Sequence, residues 1–569
     1  MNNPNFRTIL PTTGSAVPNR NKPTSRKLMC YPPPVMKNQL SALPILLLSF
    51  SLSASTLLAQ PSAAPHLEKR GAAIQLIVDG QPFLMLSGEL HNSSSSSLEY
   101  MKPIWPQLKA MGLNSVVTPL SWELIEPEEG KYDFALVDGL LAQARENQQR
   151  IVFLWLASWK NGMSSYAPVW VKRDTRRFPR VIEHGSEVEI LTPLAASTRD
   201  ADARAFAALM RHIKEVDSHD HTVVMMQIEN EVGVLGDTRD RSDAANKAFA
   251  SAVPPELTGF LQSHRDALYP ELRALWERNG ARTAGTWAEV FGDTPRADEI
   301  FMAWNYARFI QQVTAAGKAA YDIPMYVNTW LAGDDDTPGS YPSGCPEPWV
   351  VDVWKAAGSS IDIYAPDLYD VRFAVWSQRY HRNGNPLYMP EAHGGADGAA
   401  NAFIALAEES GLGFSPFGID NEMDAKGPLA DTYRLLDTLT PQILQHQQAG
   451  DIHGFVVDKN HPSADFNVNG YTLHVTVDQI FGHQAESGFG MIVPIGPDEF
   501  LGAGKGFRVA ITARNGQRAG IASVDEGIFQ DGKWVPGRRL NGDENDQGQG
   551  WRFSPRQLSI EKVRLYRFE

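Results

Sequence analysis

The stretch Val223-Val224-Met225-Met226-Gln227-Ile228-Glu229-Asn230-Glu231-Val232-Gly233 decides how the chain is read. It opens as the continuous apolar run of a strand buried on both faces. It closes on a polar knot of Gln227, Glu229, Asn230 and Glu231. Two carboxylates and two amides at the tip of a buried strand are costly unless they are hydrogen-bonded or do chemistry. A single glutamate in such a place is ordinarily structural, bonded to a loop backbone. The Gln-x-Glu-Asn-Glu grouping favours chemistry, and acid/base chemistry calls for a partner carboxylate elsewhere.

Working outward, similar runs recur on both sides. Strands are expected from Gln81 to His91, Leu113 to Leu120, Arg150 to Ala157, Thr222 to Glu231, Pro324 to Thr329, Ile361 to Pro366, Pro386 to Glu391 and Leu412 to Ile419. Amphipathic helices alternate with them, over Leu98 to Met111, Phe134 to Gln148, Thr198 to Val216, Ala303 to Lys318, Trp349 to Gly358, Phe373 to Asn383 and Ala399 to Ser410. Pro254, Gly280 and Gly285 break a long helical stretch after the fourth strand, as an insertion would. Eight strands alternating with helices predict an α/β fold, a (β/α)8 TIM barrel. A doubly wound sheet is the alternative, but no Gly-x-Gly-x-x-Gly turn follows an early strand. Barrel enzymes carry their catalytic groups at the C-terminal ends of the strands, where the polar residues of this chain collect.

After Thr440 the texture changes to short alternating runs separated by Gly, Asn and Asp, the pattern of a smaller antiparallel all-β domain. The expected division is a leader at 1–65, a catalytic barrel at 66–440 and the β domain at 441–569. The leader joins a Pro/Ser/Thr-rich start to an apolar segment from Leu40 to Leu58 and a small-residue zone ending Ala63-Ala64-Pro65. It is expected to be a secretory signal over about residues 36–60, giving a periplasmic or secreted protein; a membrane anchor is the weaker alternative. The mature chain then keeps one thiol, Cys345, since Cys30 precedes the apolar segment. No Cys/His spacing suggests a metal, and no cofactor is expected. A net charge of -14 without basic clusters argues against nucleic acid and anionic membranes as partners. The 14 Trp and 16 Tyr suit a site that stacks sugar rings. The partner expected is an oligosaccharide, with a homodimer open.

The partner carboxylate is Glu391, at the end of the seventh strand in Leu387-Tyr388-Met389-Pro390-Glu391-Ala392-His393. Strands four and seven face each other across a barrel mouth. Two carboxyls about 5–5.5 Å apart are what retaining glycoside hydrolysis requires.

Here the chain resembles glycoside hydrolase family 35, retaining β-galactosidases whose glutamates lie on strands four and seven. The Gln227-to-Gly233 run resembles its acid/base motif. Ser87-Gly88-Glu89-Leu90-His91 resembles its first-strand motif, and Trp122-Glu123-x-x-Glu126-Pro127 its second unit. The resemblance implies Glu231 as acid/base, Glu391 as nucleophile, Asn230 on the sugar 2-hydroxyl, and Glu229 either on another hydroxyl or orienting Asn230. It also implies removal of terminal β-galactose, from plant-wall fragments such as xyloglucan in a divergent bacterial-type branch. Tyr364 or Tyr369 is expected to bond Glu391, with core tyrosines as the alternative.

The chain departs from the family in His91-Asn92-Ser93-Ser94 after strand one and Trp159-Lys160-Asn161-Gly162 after strand three, where the family has other hydroxyl-reading residues. His91, Asn92, Trp159, Lys160 and Asn161, with Asn328 and Trp330 on strand five, are therefore candidate binding residues. Two other readings stay open: a retaining β-glycosidase of the same clan with another sugar, and a non-catalytic sugar-binding barrel.

Overall fold

The structure, a computed structural model, describes residues 63–569 apart from 481, 482, 515 and 531. The expected signal and Cys30 lie outside the described residues. Eight parallel strands form the barrel: β1 (Met85–Leu86), β2 (Ser115–Ser121), β3 (Arg150–Lys160), β4 (Val223–Asn230), β5 (Met325–Trp330), β6 (Ile363–Leu368), β7 (Glu391–Ala392) and β8 (Gly413–Phe414). Strands β2 to β7 make one curled sheet in the order β7-β6-β5-β4-β3-β2, and β8 pairs with β1. Backbone bonds close the ring on both sides. Val117 N donates to Gly88 O at 2.9 Å and Ser415 N to Met389 O at 2.9 Å. Glu89 bridges in parallel to both Val117 and Phe417.

The predicted first strand is split in two. Gln81–Phe83 pairs antiparallel with Ala73–Val78 in a small outer sheet, and only the residues from Met85 on enter the barrel. The helix expected over 98–111 is likewise broken, into Leu98–Met101 and Ile104–Ala110, around Pro103, whose ring lacks an N–H to donate and crowds the preceding turn. The stretch read as an insertion folds into Asp243–Phe249, Pro255–Ser263, Pro270–Arg278 and Trp287–Phe291, ahead of the 26-residue helix Pro295–Ala320.

Two apolar layers hold the barrel. Val117, Val152, Leu154, Val224, Tyr326 and Ile363 fill its interior. Phe153, Trp155, Phe206, Phe309 and Leu209 fill the space between strands and helices. On β3 the two layers alternate residue by residue, as the pleat requires.

The boundary expected at 440/441 falls inside the helix Pro428–Ala449, so the β domain begins at His453 instead. Its six-stranded and four-stranded antiparallel sheets pack face to face around Phe455, Tyr471, Phe500, Phe507 and Trp551. The outer face of the larger sheet joins the barrel's core through Phe489, Met491 and Val493. Contact there is tight enough that a Cβ on Gly454 would lie 2.2 Å from Phe403 O.

Candidate active site

The knot that ends β4 departs from extended geometry. Glu229 and Glu231 have φ of 61° and 44°, a left-handed conformation that costs a non-glycine residue about 1–3 kcal/mol. The carboxylate of Glu229 holds this shape. It accepts the backbone N–H groups of Ala157 (3.3 Å), Ser158 (3.0 Å) and Trp159 (2.8 Å) at the end of β3. It faces Asp202, whose other partners are Trp155 Nε1 at 2.9 Å and Ser158 Oγ at 2.6 Å. Burial and the facing carboxyl push Glu229 well above the usual range, and burial raises Asp202. The hydroxyl-reading alternative for Glu229 is thereby corrected. Its side chain is wholly enclosed behind the strands, and it shapes the turn that presents its two neighbours.

Those neighbours point into the mouth. Asn230 Nδ2 donates to Glu391 Oε1 at 3.2 Å, and its own Oδ1 accepts from Lys160 Nζ at 2.8 Å. A register shift between Trp155 and Lys160 sets Lys160 opposite Asn230. Glu231 accepts from Asn161 Nδ2, and its backbone N–H donates to Asn328 Oδ1 at 2.9 Å. Asn328 Nδ2 donates to Asp367 Oδ2 at 2.7 Å and reaches Glu391 Oε1 at 3.5 Å. Tyr369 Oη donates to Glu391 Oε2 at 2.9 Å. One oxygen each from Glu231, Asp367 and Glu391 lies within 4.8 Å of the others. Desolvation first, then the charge of Glu391, raises Glu231 to about 7, against the opposing pull of Lys160. Burial, with Glu391 and Glu231, raises Asp367 well above a normal carboxyl. Three carboxyls at this spacing can hold a cation. Lys160, bonded to Asn230, stands beside them and opposes the rise of Glu231.

The remaining candidates divide. Lys160, Asn161, Asn230, Asn328 and Tyr369 meet around the two glutamates. Trp330 ends β5 with 39% of its surface exposed, leaving an indole face on the rim. His91 stands at the end of β1, its Nδ1 2.9 Å from Asp420 Oδ1 and its ring edge-on to Phe417. Asn92 follows it, with Oδ1 buried and without a partner among the described residues. Two expectations fail. Trp159 is fully buried among Tyr306 and Phe309, its Nε1 spent on Leu191 O, so only its backbone serves the site. Tyr364 packs beside Trp354 in the helix layer and takes no part, leaving the Glu391 contact to Tyr369.

Three residues enter that sequence reading missed. Asp367 shares Asn328 with the glutamates. Asp420 accepts from His91 N at 3.0 Å and Ser94 Oγ at 2.5 Å. Glu89 is fully buried, with both carboxyl oxygens unpartnered among the described residues. Burial and then Glu391 raise it well above the usual range. Alternation along the strand was the available signal, since Met85 and Ile363 face the barrel interior and Glu89 and Asp367 share their parity.

Comparison with known proteins agrees with this geometry in part. The family model described as Beta-galactosidase (Glyco_hydro_42) matches residues 94–314, which carry β2 to β4 and Glu231 but stop short of Glu391. A model described as a domain of unknown function (DUF5597) matches residues 429–552. A Beta-galactosidase of Xanthomonas manihotis is 28% identical over 205 residues, 34% of this chain and 30% of the relative. The chain thus spans under a third of that relative's length. Among solved structures, a cold-adapted β-galactosidase from Rahnella sp. R3 superposes with a TM-score of 0.42 at 16% identity, over 63% of this chain and 56% of the other. The catalytic domain of a β-amylase from Paenibacillus polymyxa gives 0.42 at 13%, over 60% and 94%. The matching model is family 42 and not the family 35 suggested by the motifs, so the resemblance holds at the level of β-galactosidase barrels.

Proposed function

We propose that this chain is a retaining glycoside hydrolase that removes terminal β-D-galactose from oligosaccharides by double displacement. The observation that carries the reading is the pair Glu231 and Glu391, whose carboxyl oxygens approach within 4.8 Å across the mouth. That spacing suits the about 5–5.5 Å of retaining enzymes and leaves no room for the water an inverting enzyme places between its carboxyls. The two are also differently dressed. Glu231, held near 7, can arrive protonated and give its proton to the leaving oxygen. Glu391, fixed by Asn230, Asn328 and Tyr369, attacks the anomeric carbon. The glycosyl–oxygen bond breaks as the Glu391 ester forms. Glu231 then takes a proton from water, whose oxygen displaces Glu391. Asn230, bonded to both Lys160 and Glu391, is placed to hold the 2-hydroxyl, a contact that strengthens at the transition state. The choice of galactose is supported by the description of the matched family model and the name of the curated relative, both β-galactosidase. The apolar segment before Ala63 supports action outside the cytoplasm.

A panel of aryl β-glycosides tests the reading. The galactoside is expected to be cleaved at least about tenfold faster in kcat/KM than the glucoside or arabinoside, with the β-anomer as first product by NMR. A faster glucoside or arabinoside reassigns the sugar. Binding of galactose with no turnover of any member makes the barrel a binding protein.

Tyr369→Phe removes one charge-assisted bond to Glu391, worth roughly 1.5–3 kcal/mol. The expected result is a fall in kcat of about 10- to 100-fold with KM nearly unchanged. Thermal stability should hold, because Tyr369 is 38% exposed at the rim. A changed KM with full kcat would make Tyr369 a binding contact only.

A further inference from the structure

The two-step reaction leaves an exposed ring at the mouth unused. Trp330 is the last residue of β5, and its direction follows from the pleat. Met325 and Val327 face the helix layer, while Tyr326 faces the barrel interior. Counting in twos from Tyr326 brings first Asn328 and then Trp330 to the inner face. Asn328 stands there, bonded to Asp367 and reaching Glu391. Trp330 is one pleat repeat further up, roughly 7 Å along the strand. Its backbone pairs in register with Asp367, whose carboxyl lies within 4.8 Å of those of Glu231 and Glu391.

The strand end is held from behind. Thr329 Oγ1 donates to Pro346 O at 3.1 Å, and Ala332 N donates to buried Glu347 Oε1 at 2.7 Å. The Cys345 sulfur lies 3.9 Å from Trp330 O. A large ring left 39% exposed on a fixed backbone is a preformed ledge. The loop that leaves it is polar. Asp334, Asp335 and Asp336 follow, all exposed. Arg372 joins Asp334 to Asp370 of the loop after β6, each at 2.7 Å. A ring-sized apolar face next to charged groups fits the C–H face of a pyranose with its hydroxyls around the edge. A lipid or alkyl chain calls for a broad apolar patch instead. The run of acids disfavours an anionic sugar.

The ledge lies on a definite side of the catalytic pair. Strand β5 flanks β4 on one side and β3 flanks it on the other. Asn230, placed on the 2-hydroxyl, is bonded to Lys160 from β3. Glu231, whose proton goes to the leaving oxygen, is tied to β5 through its N–H on Asn328 Oδ1 at 2.9 Å. Galactose is thus held toward β3, and the leaving group departs toward β5.

We infer that Trp330 is the stacking platform for the leaving group, and that this group is a neutral pyranose laid with its C–H face on the indole. The inference rests on the glycosidase reading, which sets the direction of the leaving oxygen. Its consequence is a preference for galactosyl disaccharides over galactosides whose leaving group has no ring.

The test compares a set of β-galactosyl disaccharides of different linkage with methyl β-galactoside, which needs the same proton from Glu231 but releases no ring. The parent is expected to cleave its best disaccharide at least about tenfold faster in kcat/KM than the methyl galactoside. Trp330→Ala should lose that margin, mainly through KM, with methyl galactoside turnover and the thermal midpoint unchanged. Trp330→Tyr should keep most of the margin, because a phenol still offers a flat face. If the alanine variant does not fold, Trp330→Leu, which keeps bulk without that face, reads the same loss. A parent without the margin overturns the inference, as does an alanine or leucine variant that keeps it. A variant that slows both substrates alike makes Trp330 a structural residue and overturns it too. A parent that cleaves both classes equally leaves the glycosidase reading intact, whereas one that cleaves no galactoside removes that reading and the inference together.

Discussion

Glu391→Gln is expected to lower kcat on aryl β-galactosides by about 10^4- to 10^6-fold, the scale on which removal of a covalent nucleophile acts. The substitution keeps the shape of the site. Asn230 and Asn328 can still donate to the amide oxygen, and the amide N–H can turn to Tyr369 Oη in place of accepting from it. What disappears is the oxygen that bonds the anomeric carbon, so no glycosyl-enzyme forms even with a dinitrophenyl leaving group. Two further readouts separate this from a folding defect. Four carboxyls, Glu89, Glu231, Asp367 and Glu391, crowd together, with Lys160 acting against the rise of Glu89 and Glu231. Neutralising one relieves repulsion, and the thermal midpoint should equal or exceed that of the parent. Glu391's charge is also a leading cause of the raised Glu231, second only to burial. A 13C-carboxyl titration of Glu391→Gln should therefore find Glu231 titrating below about 7. A variant that keeps even a hundredth of the parent's turnover would remove Glu391 from the nucleophile's place.

The residues on which this rests were unequally visible in the sequence. The eight-strand rhythm and the two strand-end glutamates could be read directly, because strands buried on both faces are written as unbroken apolar runs. Side-chain direction was harder. On β3 the interior takes Val152, Leu154 and Leu156, which sends Trp155 and Trp159 to the helix layer. On β6 the interior takes Ile363 and Ala365, so Asp367 faces the mouth and Tyr364 faces away. Counting in twos from the apolar core would have exchanged those assignments and brought in Glu89. The same count fails on β4. Gln227 and Glu229 share parity, yet the left-handed turn at Glu229 swings its carboxylate back to the N–H groups of residues 157–159. That clamp needs Asp202 from a helix far along the chain, and no local pattern announces it. Asp420, 329 residues from His91, is hidden for the same reason.

Glu231→Ala should divide the reaction into its two halves. The acid is needed only when the leaving group is poor. With a dinitrophenyl galactoside the first step is expected to run at nearly the parent rate. The second step, in which Glu231 must deprotonate water, should slow by about 10^2- to 10^4-fold. The galactosyl ester on Glu391 then accumulates, visible as a burst of phenolate and as a mass adduct on the peptide carrying Glu391. Azide, which needs no general base, should restore turnover and release β-galactosyl azide. With an unactivated galactoside the same variant should be nearly inert. The pH profile carries the sign. Glu231 is raised, so its acid form predominates below about 7 and drains away above it. Parent kcat/KM on the unactivated substrate should therefore fall about tenfold per unit on the alkaline side. The fall should begin near 7, well above where an ordinary glutamate near 4.3 would place it. In Glu231→Ala that limb should vanish. If the limb persists in the variant, the titrating acid is another carboxyl of the cluster, with Asp367, hydrogen-bonded to Asn328 and raised in the same direction, standing next in line. If azide fails to rescue and no adduct forms, Glu231 does not serve as the acid/base, whatever its distance from Glu391.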